Sequence, residues 1–245
     1  LNVAGIAHTK KTEVGFANTS FLRGSGISIN AFGLTQKVGE AGVLGLSIMS
    51  MDFGEIDVTT TSLPEGGVGT YKPQFINIGI SYAKVFSNSI YGGFTVRIID
   101  QSISNVGARG VAVDAGIQYV TGTNEDRDNV RFGISLKNVG TPMKFGGDGL
   151  STRLTAPTGG YQLTIEQRTE GFEIPSLLNI GASYDFRPAE NHRITAAANY
   201  TSNSFSYDQT SVGREYAFNE MFMLRGGFMY EKNIFDDVNR LTANT

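Results

Sequence analysis

The sequence predicts an all-β fold, an antiparallel transmembrane β-barrel, from three observations. Apolar and polar residues alternate with period two over segments of about 10 residues, the length of a tilted strand that crosses a bilayer. Short and long links alternate between these segments. Mean hydropathy is −0.12 and no run approaches the about 20 apolar residues of a membrane helix, so a membrane protein of this composition has to be a barrel.

The alternation is clearest at residues 130–138. One face is apolar and consists of Val130, Phe132, Ile134 and Leu136. The other face is small or charged and consists of Arg131, Gly133, Ser135 and Lys137. The same pattern along the chain predicts about eleven strands. They lie near residues 12–22, 26–36, 43–52, 74–86, 89–101, 110–121, 129–138, 174–186, 192–201, 207–218 and 221–232.

The links between these strands differ in length. The short links are 37–42, 87–88, 122–128, 187–191 and 219–220. The long ones are 53–72, 102–109, 139–173 and the tail after Lys232, whereas 23–25 and 202–206 are shorter than this alternation predicts. Outer-membrane barrels have short periplasmic turns and long outer loops, so the pattern predicts that location and orientation.

The polar faces are rich in Gly, Ser, Asn and Thr. A soluble sandwich would favour Lys and Glu on a water-facing side, and a large soluble β-sandwich or adhesin domain is the alternative fold. Small polar residues favour instead a crowded barrel interior with room for side chains or a plug. The sequence therefore predicts that the apolar faces meet lipid.

Several stretches, in this order, resemble the PorV/PorQ family, a FadL-like branch of outer-membrane barrels associated with type IX secretion. They are VAGIA (3–7), KTEVGF (11–16), GVLGLS (42–47), MDFGEI (51–56), IGISYAK (78–84), RFGISLKNVG (131–140), MKF (143–145) and IP (174–175) before the strand 178–186. The family usually opens with Asn-Pro-Ala-Gly, whereas this chain has Asn2-Val3-Ala4-Gly5 and lacks the proline. A role of this turn in a plug or lateral opening is therefore not transferred.

The resemblance implies one barrel of about 14 strands, within the range of bacterial barrels. Residues 1–245 would then be a single domain, incomplete at both ends, because an open sheet edge is not viable in lipid. It also implies a non-enzymatic subunit of type IX secretion in the outer membrane. Its partners would be membrane lipids, a translocon subunit and the C-terminal domains of secreted cargo, bound by the outer loops.

Two other functions stay open. A FadL-type transporter of hydrophobic small molecules would have an apolar pocket that reaches the lumen, a lipid or detergent ligand in it, and a kink in one strand. A lipid-modifying outer-membrane enzyme is the third hypothesis.

Catalytic, metal and cofactor sites are not predicted. The two histidines are His8 in the entry segment and His192 in a short turn. The sequence has no Gly-x-Ser-x-Gly motif that would supply a serine nucleophile for either of them. The acidic clusters 125–128 and 236–237 lack the ligand spacing of a calcium loop. The net charge of −3, without a basic stripe, argues against a nucleic-acid partner.

Five charged residues lie on predicted inward faces: Arg97, Asp114, Arg131, Lys137 and Asp185. Facing lipid, such cations would cost about 2–4 kcal/mol at mid-membrane. Facing the lumen, they form either a structural network that fills the interior or a polar conduction path or plug contact.

The long link 139–173 is the candidate partner-binding loop. Its apolar residues are Met143, Phe145, Leu150, Leu154 and Tyr161, and a hairpin is expected at 162–168. Apolar residues in an outer loop pack either on the barrel mouth or on a partner. The sequence leaves both readings open.

Overall fold

The computed structural model of the chain describes residues 2–21, 24–121, 129–156 and 158–232. Eleven strands form one antiparallel sheet, each paired with the next long strand along the chain. They are β1 (Thr12–Phe21), β2 (Ile27–Val38), β3 (Gly42–Asp52), β6 (Gln74–Val85), β7 (Ile90–Ile103), β8 (Val106–Thr121), β9 (Val130–Gly140), β12 (Leu177–Ala189), β13 (His192–Asn203), β14 (Gln209–Phe218) and β15 (Phe222–Glu231). All predicted strands are confirmed within a few residues at their ends.

Two small hairpins lie within the long links. The first pairs β4 (Ile56–Asp57) with β5 (Thr70–Tyr71), and the second pairs β10 (Ser151–Thr155) with β11 (Gln162–Glu166). β11 lies in the hairpin predicted at 162–168, but its partner strand comes from further upstream than expected. Short 3-10 helices occupy Val3–His8 and Asp148–Leu150. In the part of the chain that the structure describes, no helix has the length and apolarity to span a membrane.

One expected long link is absent. β7 and β8 continue through most of residues 102–109 and pair Ile103 with Val106, which leaves a tight turn at Ser104 and Asn105. The polar character of this segment suggested a loop, but a strand can continue beyond the apolar layer with polar residues on both faces. The link 122–128, the acidic clusters 125–128 and 236–237 and the tail after Lys232 lie outside the described residues.

The outward face of the sheet is apolar and continuous across strands. Ile80 lies opposite Leu46 on one side and Val96 on the other, and its exposed fraction is 63%. Large apolar side chains on the same face are exposed on the flanking strands as well: Val14, Phe16, Phe94, Ile117, Tyr184, Val212 and Phe228. An exposed apolar surface that continues across so many strands is unusual for a monomeric soluble protein, whose exposed apolar patches are normally a few hundred Å².

The inward face is concave and encloses the N-terminal 3-10 helix. Residues from Asn2 to Thr9 contact strands from β2 to β9. Laid flat, those six strands would span about 24 Å at the usual spacing, more than the about 14 Å length of the segment. The sheet therefore curls around the helix. β1 and β15 each pair with one neighbour among the described residues, and the expected barrel of about 14 strands stays a prediction.

Candidate functional site

The interior of the curled sheet is the candidate site, and its wall is built from small and polar residues. Gly45, Ser81, Thr95 and Asp114 form one inward row across β3, β6, β7 and β8. The hydroxyls of Ser81 and Thr95 are hydrogen-bonded at 2.8 Å. Period-two alternation places these residues inward because their outward neighbours are apolar.

Arg97 and Asp114 form an ion pair in this wall. The distance from Arg97 Nη2 to Asp114 Oδ2 is 2.6 Å, and the Asp114 side chain is 4% exposed. Asp114 Oδ1 also accepts the backbone N–H of Asn138 at 2.8 Å. This bond lies at a register shift between β8 and β9, where Asn138 has a φ of 58°. The carboxylate therefore neutralises Arg97 and stabilises a β-bulge.

A second set of charges crosses the sheet from β9 to β15. Asp185 accepts a hydrogen bond from Arg131 at 3.0 Å and lies 3.9 Å from Arg193. Arg193 pairs with Glu215 at 2.9 Å, and Glu215 pairs in turn with Arg225. The chain of ion pairs connects five neighbouring strands, so it holds this half of the sheet together from the inside.

The structure brings together four of the five predicted inward charges, as the pairs Arg97–Asp114 and Arg131–Asp185. Lys137 lies on the same face of β9 as Arg131 but has no ion pair with any described residue. Sequence reasoning missed Arg193, Glu215 and Arg225. The parity of the strand pattern would have found Arg193 and Glu215, because Thr195 and Ala217 share their inward face while Ile194 and Tyr216 lie on the outward face.

The N-terminal 3-10 helix is fastened to the wall by Asn2. Its Nδ2 donates to the carbonyl oxygens of Ile117 at 2.8 Å and Ile134 at 3.0 Å, while its Oδ1 accepts from the N–H of Ala4. The side chain lies over Gly116, where an added Cβ would sit 2.0 Å from Asn2 Oδ1. Only glycine leaves room for this contact.

The two histidines have structural partners. His8 is within 3.3 Å of Gln118 through its Nε2, and its ring centroid lies 4.3 Å from that of Tyr91. His192 Nδ1 is 2.7 Å from the Tyr216 hydroxyl. Neither set includes a serine nucleophile. Over the described ranges, no group of three or more potential ligands could hold a metal ion.

The candidate loop divides into a packed base and an exposed hairpin. Met143 is 1% exposed and packs with Ile99, Ala108 and Ala112, while Phe145 stacks on Phe172 with ring centroids 5.3 Å apart. Backbone hydrogen bonds join Met143 and Phe172 in both directions, at 2.7 and 2.8 Å. The base of the loop is therefore fixed on the inner wall.

The hairpin of β10 and β11 lies in the other part of this loop. Leu154 pairs with Leu163, and Thr152 with Ile165. Leu154 is 50% exposed and Tyr161 is 59% exposed, whereas Leu150 is half-buried in the short 3-10 helix before β10. Leu154, Leu163 and Ile165 share one face of the hairpin, and that face is exposed.

Comparisons with known proteins add little to this geometry. No protein-family model matches the chain, and no match is found among curated proteins. Among solved structures, the chain is similar to the toluene transporter TodX of Pseudomonas putida. The TM-score is 0.49 at 13% identity, over 91% of this chain and 73% of TodX. A likeness of this strength carries no argument about function, and the all-β antiparallel fold is established by the strand pairing itself.

Proposed function

We propose that this chain is an outer-membrane β-barrel of the type IX protein secretion machinery, and that its outer loops bind cargo C-terminal domains or a subunit of the translocon or attachment apparatus. The exposed apolar face of the β10–β11 hairpin is the observation that carries the binding role. The ordered sequence motifs described above support the assignment to this secretion system.

The outward face of the sheet supports the membrane location. Its apolar residues are exposed in adjoining rows, while the charged residues of the interior are paired. This is the reverse of a soluble domain, which buries its apolar face and exposes its charges. Lipid around the sheet would remove the apolar face from water.

The hairpin supports partner binding because nothing described in the chain covers its apolar face. Leu154, Leu163 and Ile165 lie on that face and are each at least 41% exposed, and Tyr161, just before β11, is 59% exposed. The opposite face carries Ser151, Arg153, Thr155, Gln162 and Thr164. An open apolar surface next to a polar one is typical of a docking site.

Because the base of the loop is packed on the inner wall, the hairpin can be changed without altering that base. Deleting all of 139–173 would also remove Met143 from the inner wall, so substitutions in the hairpin alone are preferable. The variant Leu154→Ser, Leu163→Ser, Ile165→Ser should reduce co-purification of cargo or partner from membranes at least about tenfold, since apolar anchors dominate such interfaces.

The matched control changes the polar face of the same hairpin, with Arg153→Ser and Thr164→Ser. Co-purification should then stay within about twofold of the wild type, because rim contacts contribute little to affinity. Retained binding in the apolar-face variant, with the barrel still folded, would count against the loop's role.

A FadL-type transporter is the second candidate, and one cavity favours it. A pocket of about 290 Å³ lies at the loop rim, between Phe53, Phe75 and Phe145, with Gln74 and Gln101 beside them. Apolar walls with a few polar groups are typical of small-molecule sites. A transporter of this type would also have a kink in one strand. The bulge at Asp114 is the one irregularity in the described pairings of β8 with β9.

This second candidate predicts that a hydrophobic fluorescent probe binds the purified protein and that Phe75→Asp abolishes the binding. Phe16→Asp, on the outward face of the edge strand β1, is the control. Binding that survives Phe75→Asp would place the ligand elsewhere and argue against transport through this pocket.

A further inference from the structure

One cation lies on the outward, apolar face of the sheet, away from both ends of its strand. β14 runs from Gln209 to Phe218, so Arg214 is near its middle. The register places Arg214 in one row with Tyr184, Ala196 and Gly226, all on the outward face. No hydrogen bond or ion pair joins Arg214 to any other described residue, in contrast to Arg97, Arg131 and Arg193 of the interior.

Aromatic residues on the same face lie on both sides of Arg214. Tyr216 and Phe218 lie toward the short-turn rim, and Tyr200 and Tyr230 lie toward the long-loop rim. Aromatic girdles mark the two interfaces of an outer-membrane barrel, so Arg214 lies in the apolar layer between them. An unpaired guanidinium is costly there, which indicates that something in the membrane neutralises it.

The surface around Arg214 is a shallow depression of about 700 Å³. Its floor consists of the small residues Ala182, Ala196, Ala198 and Gly226, and its walls include Tyr184, Val212 and Phe228. Small residues in a membrane surface let a second protein approach closely, and polar side chains then join the two surfaces. We call Arg214 with these four floor residues the Arg214 patch.

We infer that the Arg214 patch binds a second outer-membrane protein, which places an Asp or Glu carboxylate against Arg214 inside the apolar layer. A second protein is favoured over a lipid phosphate because the small floor residues of the patch let another backbone approach closely. The inference rests on the proposed membrane location and is independent of the hairpin's role in secretion.

Site-specific photocrosslinking in native membranes tests this contact. Phe228→p-benzoylphenylalanine places a photoreactive ring of similar shape at the wall of the patch. The matched control is Phe94→p-benzoylphenylalanine on β7, since Phe228 is 48% exposed and Phe94 is 49% exposed on the same outward face. Illumination should give a protein adduct of defined mass from position 228, at least about tenfold above the yield from position 94, as for a specific contact.

Charge exchange then tests the chemistry. Arg214→Glu should lower the adduct yield at least about tenfold, and changing the partner's contacting Asp or Glu to Arg should restore it. Lys84→Glu, at the short-turn end of β6, should leave the yield unchanged. In purified protein, Arg214→Leu should not lower the melting temperature, because the cation has no described partner within the chain.

Several results would overturn the inference: an adduct with lipid alone, an adduct with a second copy of this chain, no adduct, or a yield that Arg214→Glu does not change. A lower melting temperature for Arg214→Leu would also overturn it, by showing a structural role. Membrane fractionation separates the two proposals. A chain found in the outer membrane without an adduct keeps the proposed function, whereas a chain absent from that membrane contradicts both.

Discussion

Asp114 shows how one inward residue can have two roles in the wall. Its carboxylate neutralises Arg97 and accepts the N–H of Asn138 at the bulge, so neither group is left without a partner at that point. Among the described residues, Asp114 is the only ion-pair partner of Arg97. The buried Arg97 Nε has no hydrogen bond to a described residue. Burial makes the loss of either member of such a pair costly.

Asp114→Asn should lower the free energy of unfolding by about 3 kcal/mol, because it leaves the half-buried Arg97 without its counter-charge. Asp100→Asn is the control, since Asp100 pairs with the well-exposed Arg109 at 2.7 Å. That change should cost at most about 1 kcal/mol. Denaturant unfolding of the refolded protein in detergent or lipid measures both, and equal effects would contradict the structural role of Asp114.

Gly116→Ala should displace the N-terminal 3-10 helix from the wall, because the new methyl group would lie 2.0 Å from Asn2 Oδ1. Gly15→Ala is the control, since nothing lies within 4 Å of a Cβ added there. The readout is labelling of a cysteine introduced at Ala7, which is 8% exposed in the wild type. Faster labelling is expected for Gly116→Ala only, and unchanged labelling would contradict the contact.

Asp208, in the link between β13 and β14, should make stability depend on pH. The Tyr200 hydroxyl, then the Ser202 side chain and the Asn203 N–H, hold the pKa of Asp208 below its ordinary value of 3.8. A carboxyl with a lowered folded pKa stabilises the fold above the unfolded value, and this contribution is lost as pH falls through the folded pKa.

The melting temperature of the wild type should therefore exceed that of Asp208→Asn at pH above 3.8, and the difference should shrink below it. Carboxyl NMR titration gives an independent check. Tyr200→Phe removes the hydrogen bond of 2.6 Å and should move the pKa of Asp208 up toward 3.8. A pKa that does not move would contradict the assignment.

At the scale of elements, the long loop combines a fixed base with a hairpin that has few supporting contacts. Met143 and Phe172 are hydrogen-bonded and packed on the inner wall, whereas every residue of β10 and β11 is exposed. A two-stranded hairpin alone is marginally stable in water. The loop should therefore have two parts with different local stability.

Amide hydrogen exchange should detect this difference. Residues 151–155 and 162–166 should exchange much faster than residues 112–121 of β8, where the strand lies between β7 and β9. Bound cargo or translocon subunit should slow the hairpin amides and leave β8 unchanged. Equal protection of the hairpin and β8 in the free protein would contradict the two-part description.

At the scale of the whole molecule, the two faces of the sheet have opposite character. The outward face exposes apolar side chains, and the inward face contains glycines, hydroxyls and paired charges. This arrangement fits the proposed membrane location, in which lipid covers the convex side of the sheet. The energetics of substitution on that side should then depend on depth in the membrane rather than on exposure.

Val96→Arg and Ile90→Arg test this dependence on one strand and one face. Val96 is near the middle of β7 and is 42% exposed, while Ile90 begins the strand and is 41% exposed. Folded in lipid bilayers, the Val96 variant should lose about 2–4 kcal/mol of stability and the Ile90 variant about 0–1 kcal/mol. Equal losses would contradict the membrane location.

Much of the fold could be predicted because strand signals are local. Alternation such as Ile78, Ile80 and Tyr82 against Gly79 and Ser81 defines both the strand and its two faces. The same parity predicted that Arg97, Asp114, Arg131 and Asp185 point inward. It did not predict β4, β5 or β10, which are too short for a periodic pattern, or the continuation of β7 and β8 through 102–109.

The sequence by itself determined the all-β class, the positions of the strands and the side of the sheet on which each residue lies, because a period of two depends only on neighbouring residues. Only the tertiary structure decided which charges pair. It also decided that Asn2 lies over Gly116, that Met143 is buried, and that Arg214 lies beside small residues without an ion pair to any described residue. These contacts depend on the register between strands and on the path of the loops, which join residues far apart in the chain.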